Sequence, residues 1–257
     1  MTTPPVSIEQ LKATTLPALF AGASEIGEYG NTATSAAMLQ SVAQMMEAGS
    51  AAKLAASIAA IVTGLSDADP QKIARKPSFA DRLLGREIER EVRYRVARQS
   101  IDQLLEQAEV HADGVRRTIR AIDQLIAEHA GESERLKMLL QAGREYLAEN
   151  PDAGVHVDPS MEFDRPRERF ARKLANLATL LTSHDMSHMQ MKLARAQAID
   201  MLDRFAETVT VLVPVWRQHT LALVTTSRMR PELVKAATEA HQALMRSLAK
   251  SLDSIDH

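Results

Sequence analysis

The sequence predicts an all-α fold, and three observations support that prediction. Good helix formers such as Ala, Leu, Glu, Arg and Met are plentiful among the 257 residues, whereas aromatic residues make up only 4%. Apolar residues recur at spacings of three and four along most of the chain, and no segment alternates apolar and polar residues as a half-buried strand does. Ten Gly and ten Pro are too few to separate the many short strands of a β-sheet protein.

The N-terminal region divides into an arm and a small helical hairpin. Residues 1–30 carry prolines and glycines that interrupt any long periodicity, so we expect a loose arm with one short helix from Ser7 to Leu19. Over residues 31–70, Asn31 or Thr32 can cap the first helix of the hairpin. The second helix carries an apolar stripe at helical spacing, formed by Leu54, Ile58, Ile61 and Leu65. The low charge of this hairpin favours burial against the rest of the chain or a partner.

Beyond a short basic linker at residues 71–78, the sequence predicts an elongated bundle of long, coiled-coil-like helices over residues 79–257. The first of them covers 79–149, roughly 70 residues, and would measure about 100 Å at 1.5 Å per residue. Arg and Glu fill most of its faces, with opposite charges three or four residues apart. The narrow apolar stripe that remains consists of Ile88, Val92, Val96, Leu104, Leu105, Ala108, Val115, Ile119, Ile122 and Ile126.

A loop over residues 150–160, which contains two prolines and a glycine, precedes the next helices. Helical spacing returns with Phe170, Leu174, Leu177 and Leu181. After a turn expected at Ser183 or His184, a further apolar seam contains Met189, Leu193, Ala196, Leu202, Phe205, Val209, Leu212 and Trp216. Because Pro214 lacks an N–H while the periodicity continues beyond it, we expect Pro214 to kink this helix without ending it. Trp216 is expected to pack in a seam between helices.

Composition excludes several classes of function. The absence of cysteine excludes disulfides, iron–sulfur clusters, cysteine nucleophiles and thiolate zinc sites. A net charge of −2 gives no reason to expect nucleic-acid binding. The sequence contains no apolar run of the roughly 18 residues that a membrane-spanning helix needs, and its start does not resemble a secretory signal. We therefore expect a cytoplasmic protein.

One local cluster of metal ligands stands out. On a helix His184 and His188 lie one turn apart, and the thioethers of Met186, Met189 and Met191 could add soft ligands. The spacing is permissive rather than diagnostic, because the zinc-protease pattern His-Glu-x-x-His is absent. The simpler interpretation is that Met189 belongs to the core and that the polar residues mark a turn between helices.

A basic run offers a second candidate site. It could contact an oxyanion, an acidic lipid or an acidic partner helix, and the simpler alternative is a solvated helix start. Phosphate-binding glycine loops and the nucleophile elbow of hydrolases are both absent, and no pair of carboxylates is marked out as acid and base. We therefore expect no catalytic residue. The basic run consists of Arg165, Arg167, Arg169, Arg172 and Lys173.

Three blocks of the chain form a recognisable series. The first is Glu28-Tyr-Gly-Asn31 with the later turn Leu65-Ser-Asp-Ala-Asp69, and the second is Lys76-Pro-Ser-Phe-Ala-Asp-Arg-Leu-Leu-Gly85. The third and most specific is Val213-Pro-Val-Trp-Arg-Gln218, preceded by a helix rich in Gln. Together the blocks span about residues 24–225, most of the chain, and resemble the toxic anion resistance (TelA-like, tellurite resistance) family. The signature positions of that resemblance are Tyr29, Gly30, Gln190, Gln197, Pro214, Trp216 and Gln218.

The resemblance implies a cytoplasmic, helical, non-enzymatic bacterial protein that takes part in resistance to tellurite, other toxic anions or envelope stress, with no cofactor. Our first hypothesis is a scaffold whose long helices present charged faces to protein partners or to a membrane surface. The alternative is a binder of oxyanions or metal ions that uses the run Arg165–Lys173 or the His184/His188 cluster. A third hypothesis, an enzyme with an unrecognised carboxylate site, has no motif to support it. An oligomer is compatible with all three.

Overall fold

The computed structural model confirms the all-α prediction. The part of the chain that the structure describes is helical and contains no β-strand, and none of its helices is long and apolar enough to cross a membrane. The described residues are 7–21, 25–31, 49–74, 90–155 and 165–225, with short helical pieces between 235 and 247.

Two helices are much longer than the rest. In chain order the elements are α1 (Ile8–Gln10), a π-helical turn (Leu11–Thr15), α2 (Leu16–Ala21), a 3₁₀ turn (Glu25–Glu28), α3 (Ser50–Asp67), α4 (Pro70–Ala74), α5 (Arg90–Glu149), α6 (Pro166–Glu207), a second π-helical turn (Thr208–Leu212) and α7 (Val213–Thr225).

The chain forms two compact units, each assembled from segments that are distant in sequence. Unit 1 comprises residues 1–48 and 121–194, and unit 2 comprises residues 49–120 and 195–257. Helices α5 and α6 contribute residues to both units. The division predicted from sequence, into 1–30, 31–70 and 79–257, stays a prediction.

In unit 1 the predicted N-terminal helix is present, but the segment is not loose where the structure describes it. Ser7 caps α1, because its hydroxyl accepts a hydrogen bond from the Gln10 N–H at 3.2 Å. Leu16 is completely buried in a cluster that also contains Leu136 and Phe170. The larger apolar side chains that the structure describes in the arm therefore form part of the core of unit 1.

In unit 2 the apolar stripe predicted for α3 is fully buried, with Leu54, Ile58, Ile61 and Leu65 all inaccessible to solvent. The first helix of the predicted hairpin, Thr32 included, lies outside the described residues. The linker predicted at 71–78 is instead helical over 71–74, within α4, and Ile73 packs into the same cluster. The rest of that linker and residues 79–89 lie outside the described residues.

Helices α5 and α6 each bury residues at intervals of seven, which is the period of coiled coils. In unit 1 the buried positions face each other in antiparallel order, since Phe170 touches the site of Gly143, His184 contacts His129, and Met191 clusters with Ile122. In α5 the repeat is Ile101, Ala108, Val115, Ile122, His129, Leu136 and Gly143. In α6 and the following π-helical turn it is Phe170, Leu177, His184, Met191, Ala198, Phe205 and Leu212.

Six described residues of the predicted stripes are exposed instead of buried. Val92 and Val96 in α5 are 41% and 63% exposed. Met189, Leu193 and Ala196 in α6 and Val209 in the following π-helical turn are exposed too. The predicted turn at Ser183 or His184 is also wrong, because α6 continues through both residues. The buried positions were predicted from apolar residue types alone, whereas the buried repeat of α6 includes His184.

The helix continues beyond Pro214, as predicted, and the perturbation takes the form of a π-helical turn. The Val213 N–H bonds to the Thr208 carbonyl five residues earlier. Because Pro214 has no N–H to donate, one bond of the ordinary α-helical ladder is missing at this point. A π-helical turn also rotates the following side chains relative to α6.

Candidate functional site

The core of unit 1 contains a buried pair of histidines. The Nδ1 atoms of His129 in α5 and His184 in α6 lie 3.0 Å apart, and both rings are completely inaccessible to solvent. The ring centroids are 4.9 Å apart with the planes tilted by 55°. Since one Nδ1 must donate a proton and the other must offer its lone pair, the two neutral rings adopt different tautomers. We call this pair the histidine layer.

An ion pair lies close to the histidine layer. Arg135 binds the nearly buried carboxylate of Glu132 through two hydrogen bonds of 2.8 and 2.7 Å, and it also donates to the Gly30 carbonyl at 3.2 Å. Burial lowers the pKa of His184 below its ordinary value of 6.5; Glu132 and Asp185 oppose that shift and Arg135 adds to it. The local environment therefore favours a neutral imidazole.

The signature residues Tyr29 and Gly30 are part of the packing of unit 1. The Tyr29 hydroxyl donates to the Leu139 carbonyl at 2.8 Å, and burial raises the pKa of this phenol to about 12. Gly30 has a φ of +72°, and a Cβ there would lie 2.9 Å from Leu177. Only glycine meets both conditions without strain. Tyr29 and Gly30 therefore determine the conformation of the turn whose Gly30 carbonyl accepts a hydrogen bond from Arg135.

Two members of the predicted basic run bind backbone carbonyls. Arg167 donates to the carbonyls of Leu147 and Asn150 at 2.8 and 2.9 Å, where α5 ends. Lys173 donates to the Gly27 carbonyl at 2.7 Å and to the Asn31 side chain at 2.5 Å. These cations thus connect segments of unit 1 and satisfy the carbonyls at a helix end.

The other members of the run lie on α6 or directly before it. Arg165 forms an exposed ion pair with Glu168 at 3.2 Å, and Arg172 is exposed. Arg169 is partly buried. The use of the run as an anion site stays a prediction.

The predicted metal cluster does not assemble around His184 and His188 in the described residues, where no group of three or more His, Asp or Glu side chains is arranged to hold a metal ion. His184 faces His129 instead. The three methionines separate, because Met191 is buried in the repeat while Met186 and Met189 face solvent.

The exposed side of α6 carries an uncharged, partly apolar surface. The signature residue Gln197 is exposed in the part of α6 that belongs to unit 2. In the unit 1 part, Met186, Met189 and Leu193 are 60%, 73% and 61% exposed, and the signature residue Gln190 is exposed beside them. At about 100° per residue these four side chains span about 100° of the helix circumference. We call them the α6 outer face.

The signature residue Trp216 anchors the core of unit 2, which confirms its predicted burial. Its indole N–H donates to the Ala68 carbonyl at 2.8 Å, and its ring stacks on Tyr94 with 6.0 Å between centroids. Its neighbours Pro214 and Gln218 are exposed. The Val-Pro-Val-Trp block therefore contains both the proline that follows the π-helical turn and the buried indole ring of Trp216. That ring contacts the end of α3 and helix α5.

A contact that the sequence analysis missed links α3 to α5 in unit 2. The Ser57 hydroxyl lies 2.7 Å from Nδ1 of His111, beside a groove of about 250 Å³ that Lys53 and Gln107 also line. Ser57 also donates to the Lys53 carbonyl at 3.0 Å, as helical serines commonly do. Because backbone N–H groups within α3 are used by the helix, they do not form an oxyanion hole here. We interpret the contact as a polar link between helices.

Comparisons with known proteins agree with the sequence blocks. A family model described as toxic anion resistance protein (TelA) matches residues 18–255. Protein KlaA of Escherichia coli is 57% identical over 251 residues, which cover 98% of this chain and 98% of that protein. No solved structure matches the chain.

Proposed function

We propose that this chain, which belongs to the toxic anion resistance (TelA) family, acts as a non-enzymatic interaction protein of the cytoplasm that binds a helix of a partner protein along the α6 outer face. The observation that carries the proposal is the exposure of Met186, Met189 and Leu193 on one side of a regular helix. Single exposed apolar residues are normal on protein surfaces, but a stripe of them is typical of an interaction site.

The shape of the α6 outer face favours a helical partner. Its apolar members follow the spacing i, i+3, i+7 and extend over about 10 Å of helix at 1.5 Å per residue. A stripe of that spacing fits against the apolar stripe of a second helix. Each fully buried Met or Leu side chain contributes about 1.5–3 kcal/mol relative to exposure in water.

The charges beside the stripe specify the partner further. The face itself has no charged side chain, whereas Asp185 and Lys192 are exposed along one edge at a spacing of seven residues. In paired helices such edge positions contact the edge charges of the other helix and select its sequence. We expect a partner helix with a neutral apolar stripe, a basic residue opposite Asp185 and an acidic residue opposite Lys192.

The edge charges also favour a protein over a membrane. Helices that lie on membranes combine a broad apolar face with basic residues along the polar face. The α6 outer face has an acidic residue at its edge and an amide within the stripe. A lipid surface is therefore the weaker fit.

The test of this proposal is resistance to tellurite in cells that lack the native gene and carry variants of the chain. Met189→Glu/Leu193→Glu should fail to restore resistance. A partner helix that packed against this face would have to bury two carboxylates, which is unfavourable. The matched control is Val96→Glu/Val110→Glu, which places carboxylates at two exposed valines in unit 2. The control should restore resistance, and both variants should melt at the wild-type temperature by circular dichroism.

Full resistance with the Met189/Leu193 variant would overturn the proposal, and so would equal loss of resistance in both variants. Flotation with vesicles that contain anionic lipid separates the membrane alternative. Binding by the wild-type chain that disappears in the Met189/Leu193 variant would assign the face to lipid instead of a partner helix.

A further inference from the structure

We propose that the histidine layer makes the pairing of α5 and α6 in unit 1 sensitive to protons: the layer stays closed while one of the two facing nitrogens is unprotonated, and it opens when both imidazoles take up a proton. This inference does not depend on partner binding, because it concerns the core of unit 1 and not its surface.

The geometry of the two facing Nδ1 atoms limits the number of protons that the closed layer can bind. In the neutral pair, one Nδ1–H donates across 3.0 Å to the lone pair of the other Nδ1. A second added proton would have to occupy that lone pair and would place two N–H groups head to head. The neighbouring layers pair Leu136 with Leu177 and Ile122 with Met191 at the same seven-residue spacing, so the helices cannot separate at the histidines alone without disturbing packed side chains.

Among the described residues, the charged groups near the histidine layer already have partners or are exposed to solvent. From α5, the Glu132 carboxylate is already bound to Arg135 through two hydrogen bonds. From α6, Asp185 follows His184 directly but is exposed, and its interaction with the ring is screened by solvent. From the segment 25–31, Glu25 and Glu28 are exposed to solvent, and the Tyr29 hydroxyl already donates to a backbone carbonyl.

The direction of the pH dependence follows from the buried state of His184. Burial lowers its pKa from the ordinary 6.5, so below pH 6.5 the opened chain binds more protons than the closed layer does. The contribution of the layer to stability is fully present above pH 6.5 and decreases on acidification toward the lowered pKa. For each additional proton bound on opening, the opening constant rises at most about tenfold per pH unit.

Hydrogen exchange of the full-length chain at pH 7.5 and pH 5.5, corrected for the intrinsic exchange rate, tests the proposal. In the wild type we expect opening of 122–136 and 177–191 to increase about tenfold or more, while 101–115 and 198–212 change by less than threefold. His129→Leu/His184→Leu copies the adjacent Leu136/Leu177 layer and should abolish the response of unit 1. His188→Gln, at a half-buried histidine one turn further along α6, should retain it.

Equal protection of unit 1 at both pH values would overturn the proposal, as would a full pH response in the double Leu variant. Should that variant fail to fold, nitrogen-detected NMR of the wild-type imidazoles decides. We expect His129 and His184 to show one donor and one acceptor Nδ1 at pH 7.5, and to lose that coupled pattern only below pH 6.5. Two rings that titrate independently near 6.5 would contradict it.

Discussion

Units 1 and 2 use the same seven-residue repeat of α5 and α6 but fill it with different chemistry. In unit 2 the repeated positions are apolar throughout, whereas in unit 1 the same register includes the histidine layer. An apolar layer stabilises through surface removed from water and does not titrate. Buried imidazoles need hydrogen bonds and lose stability when protonated. We therefore expect the histidine layer, and not the apolar layers, to make the pairing of α5 and α6 depend on pH.

The two units also differ in how they hold the shorter segments. Unit 2 holds the end of α3 through the indole of Trp216, a large side chain with one hydrogen bond. Unit 1 holds the turn at residues 29–30 through Tyr29, Gly30 and the guanidinium of Arg135. At these two places unit 2 thus uses a large buried ring, and unit 1 uses backbone conformation and polar contacts.

The largest effect that we expect from a single substitution is in unit 2. Trp216→Ala should lower the free energy of unfolding by about 3–5 kcal/mol, as large truncations in protein cores do, and should leave the Ala68 carbonyl without its donor. Because the chain has one Trp, unfolding is best followed by circular dichroism in urea and by hydrogen exchange.

Trp216→Phe sharpens this prediction, because it retains an aromatic ring against Tyr94 and removes the N–H. It should cost less than the alanine variant. An unchanged urea midpoint in Trp216→Ala would contradict the role assigned to this residue, and loss of exchange protection in unit 1 before unit 2 would contradict the comparison of the two units.

A smaller effect is expected from backbone strain in unit 1. Gly30→Ala should destabilise by about 1–3 kcal/mol, because it forces a non-glycine residue to a positive φ and places Cβ against Leu177. The matched control is Gly27→Ala, where a Cβ meets nothing within 4 Å. The control should stay within about 0.5 kcal/mol of wild type. Equal effects in the two variants, measured by urea denaturation, would show that the positive φ and the close packing at Gly30 do not determine the stability of this turn.

Local patterns were sufficient to predict several parts of the fold. The stripe of α3 was predicted because its buried residues are all Leu or Ile at regular helical spacing, and Trp216 because a large apolar side chain continued such a seam. A prediction from hydrophobicity alone placed exposed residues of α6 in the core. Met189 and Leu193 are apolar yet exposed, whereas His184 is polar yet buried, because its partner His129 satisfies its Nδ1.

The histidine layer was harder to predict from the sequence, because it depends on which turns of two long helices face each other. His129 is 55 residues from His184, and no local motif joins them. A signal did exist in the seven-residue spacing, since His129 lies between Ile122 and Leu136, and His184 between Leu177 and Met191. The basic run was visible as charge, but the carbonyls that Arg167 and Lys173 bind come from distant segments.

Thiol labelling tests most directly whether a partner helix covers the α6 outer face in the cell. The native chain has no cysteine, so Leu193→Cys and the control Val110→Cys each introduce one exposed thiol. In the purified protein both should react rapidly with a maleimide. In tellurite-treated cells we expect Cys at position 193 to react at least tenfold more slowly than in the purified protein, with little change at position 110. Equal protection ratios at the two positions would contradict the claim.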